Sequence, residues 1–364
     1  MRLFEYMGKE LLSRYGVPIP KGYVVNTPDE IKDIPYSAAV KAQVLTGGRG
    51  KAGGIRFAQN VAEARQHASD IMKMTIHGEK VRCILIEERL QVAKELYFSF
   101  TLDRSSRSIV MMSSAEGGVE IESVPHEKIL IRKVPPSGYS SFLTRALGVS
   151  LGLSKEQLNE MEKLARSLLT LFMSEDCELV EINPLVITKE GKLIAADSKI
   201  TINDDALFRH PEYAGETAEL TPLEAKARKE EIAFVQLDGD IGVIANGAGL
   251  TMATLDTLNA WGGKAGVFLD LGGTDNPEKV AKAFELLKEA TPRVIFLNIF
   301  GGITKCDTVA LGIKAAVERD GLKIPVVARI RGVNEEEAVR ILSGVGITAT
   351  TDMTEAAKKA AGVK

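Results

Sequence analysis

The sequence predicts two folded halves of different class: an α+β front half and a doubly wound, parallel-sheet α/β rear half. Three observations predict it. β-rich segments joined by hairpin turns fill much of residues 1–200. From residue 241 onward, short apolar strands alternate with helical segments, the signature of parallel strands linked by right-handed crossovers. Between them, residues 211–231 (PEYAGETAELTPLEAKARKEE) are charged, carry two prolines and hold few large apolar residues. They read as a partly helical linker, with domains expected at 1–225 and 226–364.

In the front half, Phe4, Met7, Leu11, Leu12 and Tyr15 form a helical stripe that Gly16 and Pro18 end. Strands are expected at 23–25 and 38–44, followed by the glycine-rich loop GGRGKAGG at 47–54 and a further strand at 55–58. A helix is expected over 61–74 and a buried strand over 82–88. Segments 95–102 and 108–113 flank Asp103-Arg104-Ser105-Ser106, a hairpin turn. A third β segment lies near 128–134, Pro135-Pro136-Ser137-Gly138 breaks it, and 154–173 reads as a long amphipathic helix. Residues 178–199 (ELVEINPLVITKEGKLIAADSK) close this half as two strands about a turn at Lys189-Glu190-Gly191-Lys192. In the rear half, strands are expected at 241–245, 265–271, 294–299, 325–330 and 347–349, with helices near 250–260, 277–290, 307–319, 335–343 and 354–361.

Composition narrows the function. With 364 residues, 45% of them hydrophobic, the chain can build two or three cores. A net charge of −3 excludes a broad nucleic-acid surface, no apolar run reaches membrane-spanning length, and the charged first dozen residues are unlike a signal peptide. Cys83, Cys177 and Cys306 are widely spaced, which points to a reducing, cytoplasmic setting and away from disulfides or a cysteine zinc site. The four histidines, His67, His77, His126 and His210, read as solvated or structural.

Chemistry concentrates in three places. Alternation along the closing hairpin puts Glu181 and Asn183 on one face, with Val180 and Ile182 pointing into a core. Pro184 biases Asn183 toward an extended conformation, and the return strand ends at Asp197 near it. An amide oxygen and carboxylates converging at a sheet end suit Mg²⁺; the alternative is an ordinary Asn-Pro turn beside a surface aspartate. GGRGKAGG places five glycines in eight residues with Arg49 and Lys51 between them, suited to phosphate or simply a surface hairpin, and it is not a Walker A loop. Lys41, in an otherwise small and apolar strand, needs an anionic partner. Glu87-Glu88 and Lys94-Glu95 bracket a connection that could read a nucleotide, or be a plain charged loop.

In the rear half, Asn246-Gly247-Ala248-Gly249, Gly272-Gly273 and Gly301-Gly302 each follow a strand. Ligands of doubly wound sheets bind outside those strand ends, so a phosphate-bearing ligand on backbone amides is expected there. Asn276-Pro277 reads as an N-cap followed by proline at the first helical position. The incomplete dinucleotide fingerprint at 246–249 argues against a nicotinamide cofactor.

Taken together, VKAQVLTGGRGKAGG, AKELYFSFTLDRSSR, SAEGGVEIE, EINPLVIT, DSK, NGAGL and NIFGGITKCD stand in an order and spacing that resembles the β subunit of succinyl-CoA synthetase over nearly the whole chain. The resemblance implies an ATP-grasp domain followed by a flavodoxin-like CoA-ligase domain. Carried over residue by residue, it implies nucleotide contacts at Lys41, Gly48, Arg49, Gly50, Glu87, Leu90 and Glu95, with Mg²⁺ held by Asn183 and Asp197. It implies a substrate site at Asn246, Gly302, Ile303 and Thr304. Leu90 stands where some relatives have a smaller polar residue, which leaves ATP versus GTP open, and the 272–275 loop has fewer glycines than the family's usual version.

In this family the phosphoryl group travels on a histidine of an α subunit, in αβ or α2β2 assemblies. The low histidine count agrees with that division. The implied reaction is reversible ligation of succinate to CoA at the expense of ATP or GTP. A related ligase for malate or another short acid is the alternative. A stand-alone carboxylate–amine ligase is disfavoured by the rear half, and a non-catalytic nucleotide-binding subunit by the retention of Asn183 and Asp197.

Overall fold

The computed structural model of the chain describes residues 1–34, 37–213, 220–321 and 324–363. Its contacts divide it into units 1–219 and 220–364. Of the expected linker, residues 214–219 lie outside the described residues, and the helix Pro222–Lys229 belongs to the second unit. A Thr221/Glu224 capping box starts that helix.

The first unit holds two large antiparallel sheets and a two-stranded one. The four-stranded one runs Gly22–Val25, Ile84–Glu88, Ala38–Ala42, Ile55–Ala58. Helix Val61–Met72, capped by Asn60, lays Ala64, Ala68 and Ile71 on it against Val40, Ile84 and Ile86. The second sheet runs Leu193–Ala195, Cys177–Thr188, Val92–Asp103, Ser108–Ser114, Leu130–Lys133, with Lys199–Ile202 also on Cys177–Thr188. Its core joins Phe98, Phe100 and Leu185 to Leu164, Leu168 and Phe172 of helix Lys155–Ser174 and to Leu11 and Leu12 of helix Glu5–Arg14. That first helix ends as expected: Gly16 adopts φ +77°, and the Val17 N–H donates to the Leu12 carbonyl at 3.0 Å.

Strand Lys199–Ile202, beyond the expected hairpin, and two further elements of this unit escape the sequence pattern. Helix Ser141–Ser150 ends in Gly-Val-Ser, weak helix formers, and is set by packing instead. Its Gly148 lies so close to the neighbouring helix that a Cβ would come 2.4 Å from Leu158. The Thr75–Ile76/Glu79–Lys80 hairpin is two residues per strand, too short to show alternation.

The second unit is one six-stranded sheet in the order Ala233–Gln236, Ala265–Asp270, Ile241–Ala245, Val294–Gly301, Val326–Gly332, Ala349–Thr350. All pairings are parallel except that of Ala233–Gln236, an antiparallel edge strand. It buries only Phe234 fully, so it carries no apolar run to read. The five expected strands are present, the last as Ala349–Thr350. Helices cover both faces: Ile244 and Leu297 meet Phe284 and Leu287, while Val243 and Phe296 meet Leu258 and Ala356. Among the described residues no helix is long and apolar enough to cross a membrane. Cys83, Cys177 and Cys306 are buried.

Candidate functional site

The closing hairpin of the first unit forms as the alternation requires. Cys177–Thr188 pairs antiparallel with Leu193–Ala195 (Leu185 opposite Ala195) and with Lys199–Ile202 (Glu181 opposite Lys199). This register brings residues 196–198 back opposite Asn183-Pro184, a cis peptide at a shift in the pairing with Val92–Asp103. A residue without an N–H is tolerated where the ladder is interrupted.

Beside the hairpin lies a cavity of about 300 Å³. Its walls combine the glycine loop, including Gly48, Arg49 and Gly50, with Glu181, Asn183, Asp197, Ser198 and the 118–122 loop. The two loops are linked to the hairpin by short contacts. Gly118 N–H donates to Asn183 Oδ1 and Asn183 Nδ2 donates to the Val119 carbonyl, both at 2.8 Å. Lys51 reaches Glu120 at 2.9 Å. Glycines are needed at 117 and 118: a Cβ would stand 2.5 Å from the Leu96 backbone at the first and 2.3 Å from Glu95 Oε2 at the second, where φ is +74°.

Behind the cavity sits a buried ionic cluster. Glu5, on the first turn of the N-terminal helix, is 3% exposed. Its carboxylate accepts from Lys9 at 2.8 Å, Lys41 at 2.9 Å, Arg49 at 2.7 Å and Gln43 at 3.2 Å. Glu87 accepts from Lys9 at 2.5 Å and from Lys41 at 2.7 Å. Arg49 Nη2 bridges both Asp197 oxygens at 2.9 Å. Burial alone would raise the Glu5 pKa, but Arg49, Lys41 and Lys9 outweigh it and hold the carboxyl well below its usual range. Lys41 and Arg49 are pushed the other way: burial opposes their charge, and Glu5 with Glu87 and Asp197 on Lys41, and Asp197 with Glu5 on Arg49, raise their pKa values.

Glu181 differs from these acids. Burial raises its pKa, assisted by Glu122 and Asp197 and opposed by Lys199 and by Tyr97, whose hydroxyl donates to it at 3.1 Å. Asn183, Asp197 and Glu181 together present hard oxygen donors on one wall, a set that fits a small divalent cation.

The expected site residues therefore separate. Gly48, Arg49, Gly50, Asn183 and Asp197 share the cavity wall. Lys41 and Glu87 are paired in the ionic cluster, Lys41 finding its anions in Glu5 and Glu87. Glu95 lies against the Gly117-Gly118 turn, and Leu90 follows the strand Ile84–Glu88. Sequence reading missed Glu5 and Lys9. The signal was their i,i+4 spacing, which resembles a surface helix pair. Of the histidines, His210 is buried with Nε2 2.9 Å from Asp176, and exposed His77 lies beside Gly48.

In the second unit the glycine turns gather at the carboxyl ends of the strands. Asn246 is sewn to Phe300 by two 2.9 Å bonds, its Nδ2 donating to the carbonyl and its Oδ1 accepting from the N–H. Asp270 accepts from the Gly247 N–H at 2.6 Å and the Gly272 N–H at 2.8 Å. Gly302 N–H donates to the Thr304 carbonyl at 3.1 Å, buried Thr304 donates to the Gly272 carbonyl at 3.1 Å, and Ile303 is 86% exposed. Asn276 caps helix Pro277–Glu289 by accepting from the Glu278 N–H.

Comparison with known proteins agrees with both units. Residues 2–187 match the family model for an ATP-grasp domain, and residues 244–363 the model described as CoA-ligase. The chain is 43% identical to a succinate–CoA ligase (ADP-forming) subunit beta from Staphylothermus marinus, over 99% of this chain and 98% of that one. It is also 43% identical to the protein of the same name from Myxococcus xanthus, over 99% of each. Among solved structures, ATP citrate lyase from Methanothrix soehngenii in complex with citrate and coenzyme A superposes with a TM-score of 0.78 over 99% of this chain and 98% of that one. At 18% identity, that likeness speaks for the fold alone.

Proposed function

The chain belongs to the succinate–CoA ligase β-subunit family, and from that premise we propose that it is the nucleotide-binding β subunit of an ADP-forming acid–thiol ligase acting on succinate. The reading is carried by one juxtaposition: the Gly48-Arg49-Gly50 segment, Asn183 and Asp197 line a single cavity, with Arg49 on the Asp197 carboxylate. The first unit is the nucleotide-binding domain and the second the CoA-ligase domain. An α subunit is the partner, in an αβ or α2β2 assembly. Three buried cysteines, widely spaced along the chain, support a cytoplasmic setting.

In this reading Asn183 and Asp197 hold Mg²⁺, which when bound spreads the charge of the triphosphate. The glycine loop brings backbone amides close to the phosphates, and Arg49 and Lys41 neutralise them. Lys41 already has three acceptors, Glu5, Glu87 and the Ala196 carbonyl, so it meets phosphate by exchanging one of them. Glu87, Leu90 and Glu95 serve the rest of the nucleotide. Asn246 and Gly302-Ile303-Thr304 line the acid's site, and helix Pro277–Glu289 offers its N-terminus to the carried phosphate. The γ-phosphoryl passes to a histidine of the α subunit, releasing ADP. Succinate takes it as an acyl phosphate, and the CoA thiol displaces inorganic phosphate to leave succinyl-CoA.

Co-expression with an α subunit tests this. Expected is ADP formation that requires ATP, CoA, succinate and the α chain, with phosphohistidine on the α chain. Turnover by this chain alone with an amine acceptor, or phosphate on one of its own histidines such as His77, would overturn it. Faster turnover with malate would move the acid specificity to the related ligase.

A further inference from the structure

Three cations and three anions meet behind the cavity: Lys9, Lys41 and Arg49 with Glu5, Glu87 and Asp197. Two of the cations are the residues assigned to phosphate. Lys9 is not among the cavity walls and is 2% exposed, with its ammonium between Glu5, Glu87 and the Ala196 carbonyl at 2.5–2.8 Å. It shares Glu5 Oε1 with Lys41, and it shares the Glu87 carboxylate with Lys41 as well. An incoming polyphosphate has to compete with Glu5 and Glu87 for Lys41, and with Glu5 and Asp197 for Arg49. Buried opposite charges hold each other strongly, so the balance of the cluster decides how much positive charge the ligand finds. With Lys9 the cluster is formally neutral, and without it the cluster carries a net charge of −1.

We propose that Lys9 is a positioning residue for nucleotide: by occupying Glu5 and Glu87 it frees Lys41 and Arg49 to turn to the phosphates. The inference rests on the nucleotide reading of the cavity and extends it to a residue on the N-terminal helix. Removing the Lys9 charge leaves Glu5 and Glu87 to the two ligand-facing cations alone, whereas a merely structural Lys9 would change stability without changing nucleotide affinity.

The test is a charge series in the assembled enzyme with its α subunit, measuring the dissociation constant for Mg-ADP and KM for each substrate. Lys9→Met, at −1, is expected to bind nucleotide about ten-fold more weakly, a factor within the usual coupling range of contacting charged groups. KM for succinate and CoA is expected to stay unchanged. Lys9→Met with Glu5→Gln restores the sum to zero and is expected to recover wild-type affinity. Glu5→Gln alone, at +1, is expected to bind at least as tightly as wild type. Affinities that do not follow the charge, such as weaker binding by Glu5→Gln or a double variant worse than either single one, overturn the proposal and leave the cluster a packing feature. Should Lys9→Met fail to fold, Glu5→Gln and the double variant still decide it. A wild-type enzyme that binds no Mg-ADP would instead sink the nucleotide reading itself.

Discussion

The front cavity and the rear strand-end edge both gather glycine turns, yet they are held in opposite ways. In front, charged side chains answer charged side chains: Glu5, Glu87 and Asp197 against Lys9, Lys41 and Arg49. At the rear, the loops are tied largely through backbone groups: Asn246 to Phe300, Asp270 to the Gly247 and Gly272 N–H groups, Thr304 to Gly272. An ionic site stores its own counter-ions and must surrender them to bind a charged ligand. A site tied to backbone amides and carbonyls needs no such exchange.

The contrast can be broken at four points. Glu87→Ala strips one acid from a buried cluster and is expected to destabilise the first unit by about 3–5 kcal/mol. All seven tyrosines lie within residues 1–219 and the single tryptophan, Trp261, lies in the second unit, so tyrosine and tryptophan signals in a denaturant titration report the two units separately. The loss should appear in the tyrosine signal. Asp197→Asn is expected to lower ligase activity roughly 100-fold and to raise the Mg²⁺ requirement while the fold persists. Unchanged kinetics across Mg²⁺ concentrations would remove Asp197 from the metal assignment.

Acid should separate the units by the same logic. The folded Glu5 carboxyl sits well below its ordinary value, so its stabilisation is complete above the unfolded carboxylate pKa of about 4.3 and drains away as pH falls from there through the depressed folded value. In the second unit, Asp240 is lowered by its hydrogen bond from Arg293 but is exposed and contributes little. The tyrosine signal is expected to collapse at higher pH than the Trp261 signal. The smallest effect is expected from Asn276→Ala: loss of the cap on helix Pro277–Glu289 should cost about 1 kcal/mol in the second unit, with nucleotide affinity untouched.

Much of this architecture was legible in the chain. Period-two alternation over Val180, Glu181, Ile182 and Asn183 set the faces of that stretch of Cys177–Thr188, and strand–helix alternation set the parallel sheet of the second unit. The Asn276-Pro277 cap and the Thr188–Lys192 turn, with Gly191 at φ +84°, followed from residue type alone. Helix Ser141–Ser150 and edge strand Ala233–Gln236 did not, because each depends on a partner surface rather than on its own pattern. Of the expected nucleotide residues, the cavity gathers Gly48, Arg49 and Gly50 on its wall, while Lys41 and Glu87 spend their charge on neighbours.

By itself the sequence determined which segments could be strands or helices, where glycine and proline interrupt them, and which motifs the chain carries, because these are properties of residues a few positions apart. Only the tertiary structure decided that residues 5, 9, 41, 49, 87 and 197 meet. Those contacts exist because the N-terminal helix, the sheet holding Ala38–Ala42 and Ile84–Glu88, and the return of the closing hairpin converge on one buried point. Charges brought together there must neutralise one another, a condition no local pattern records.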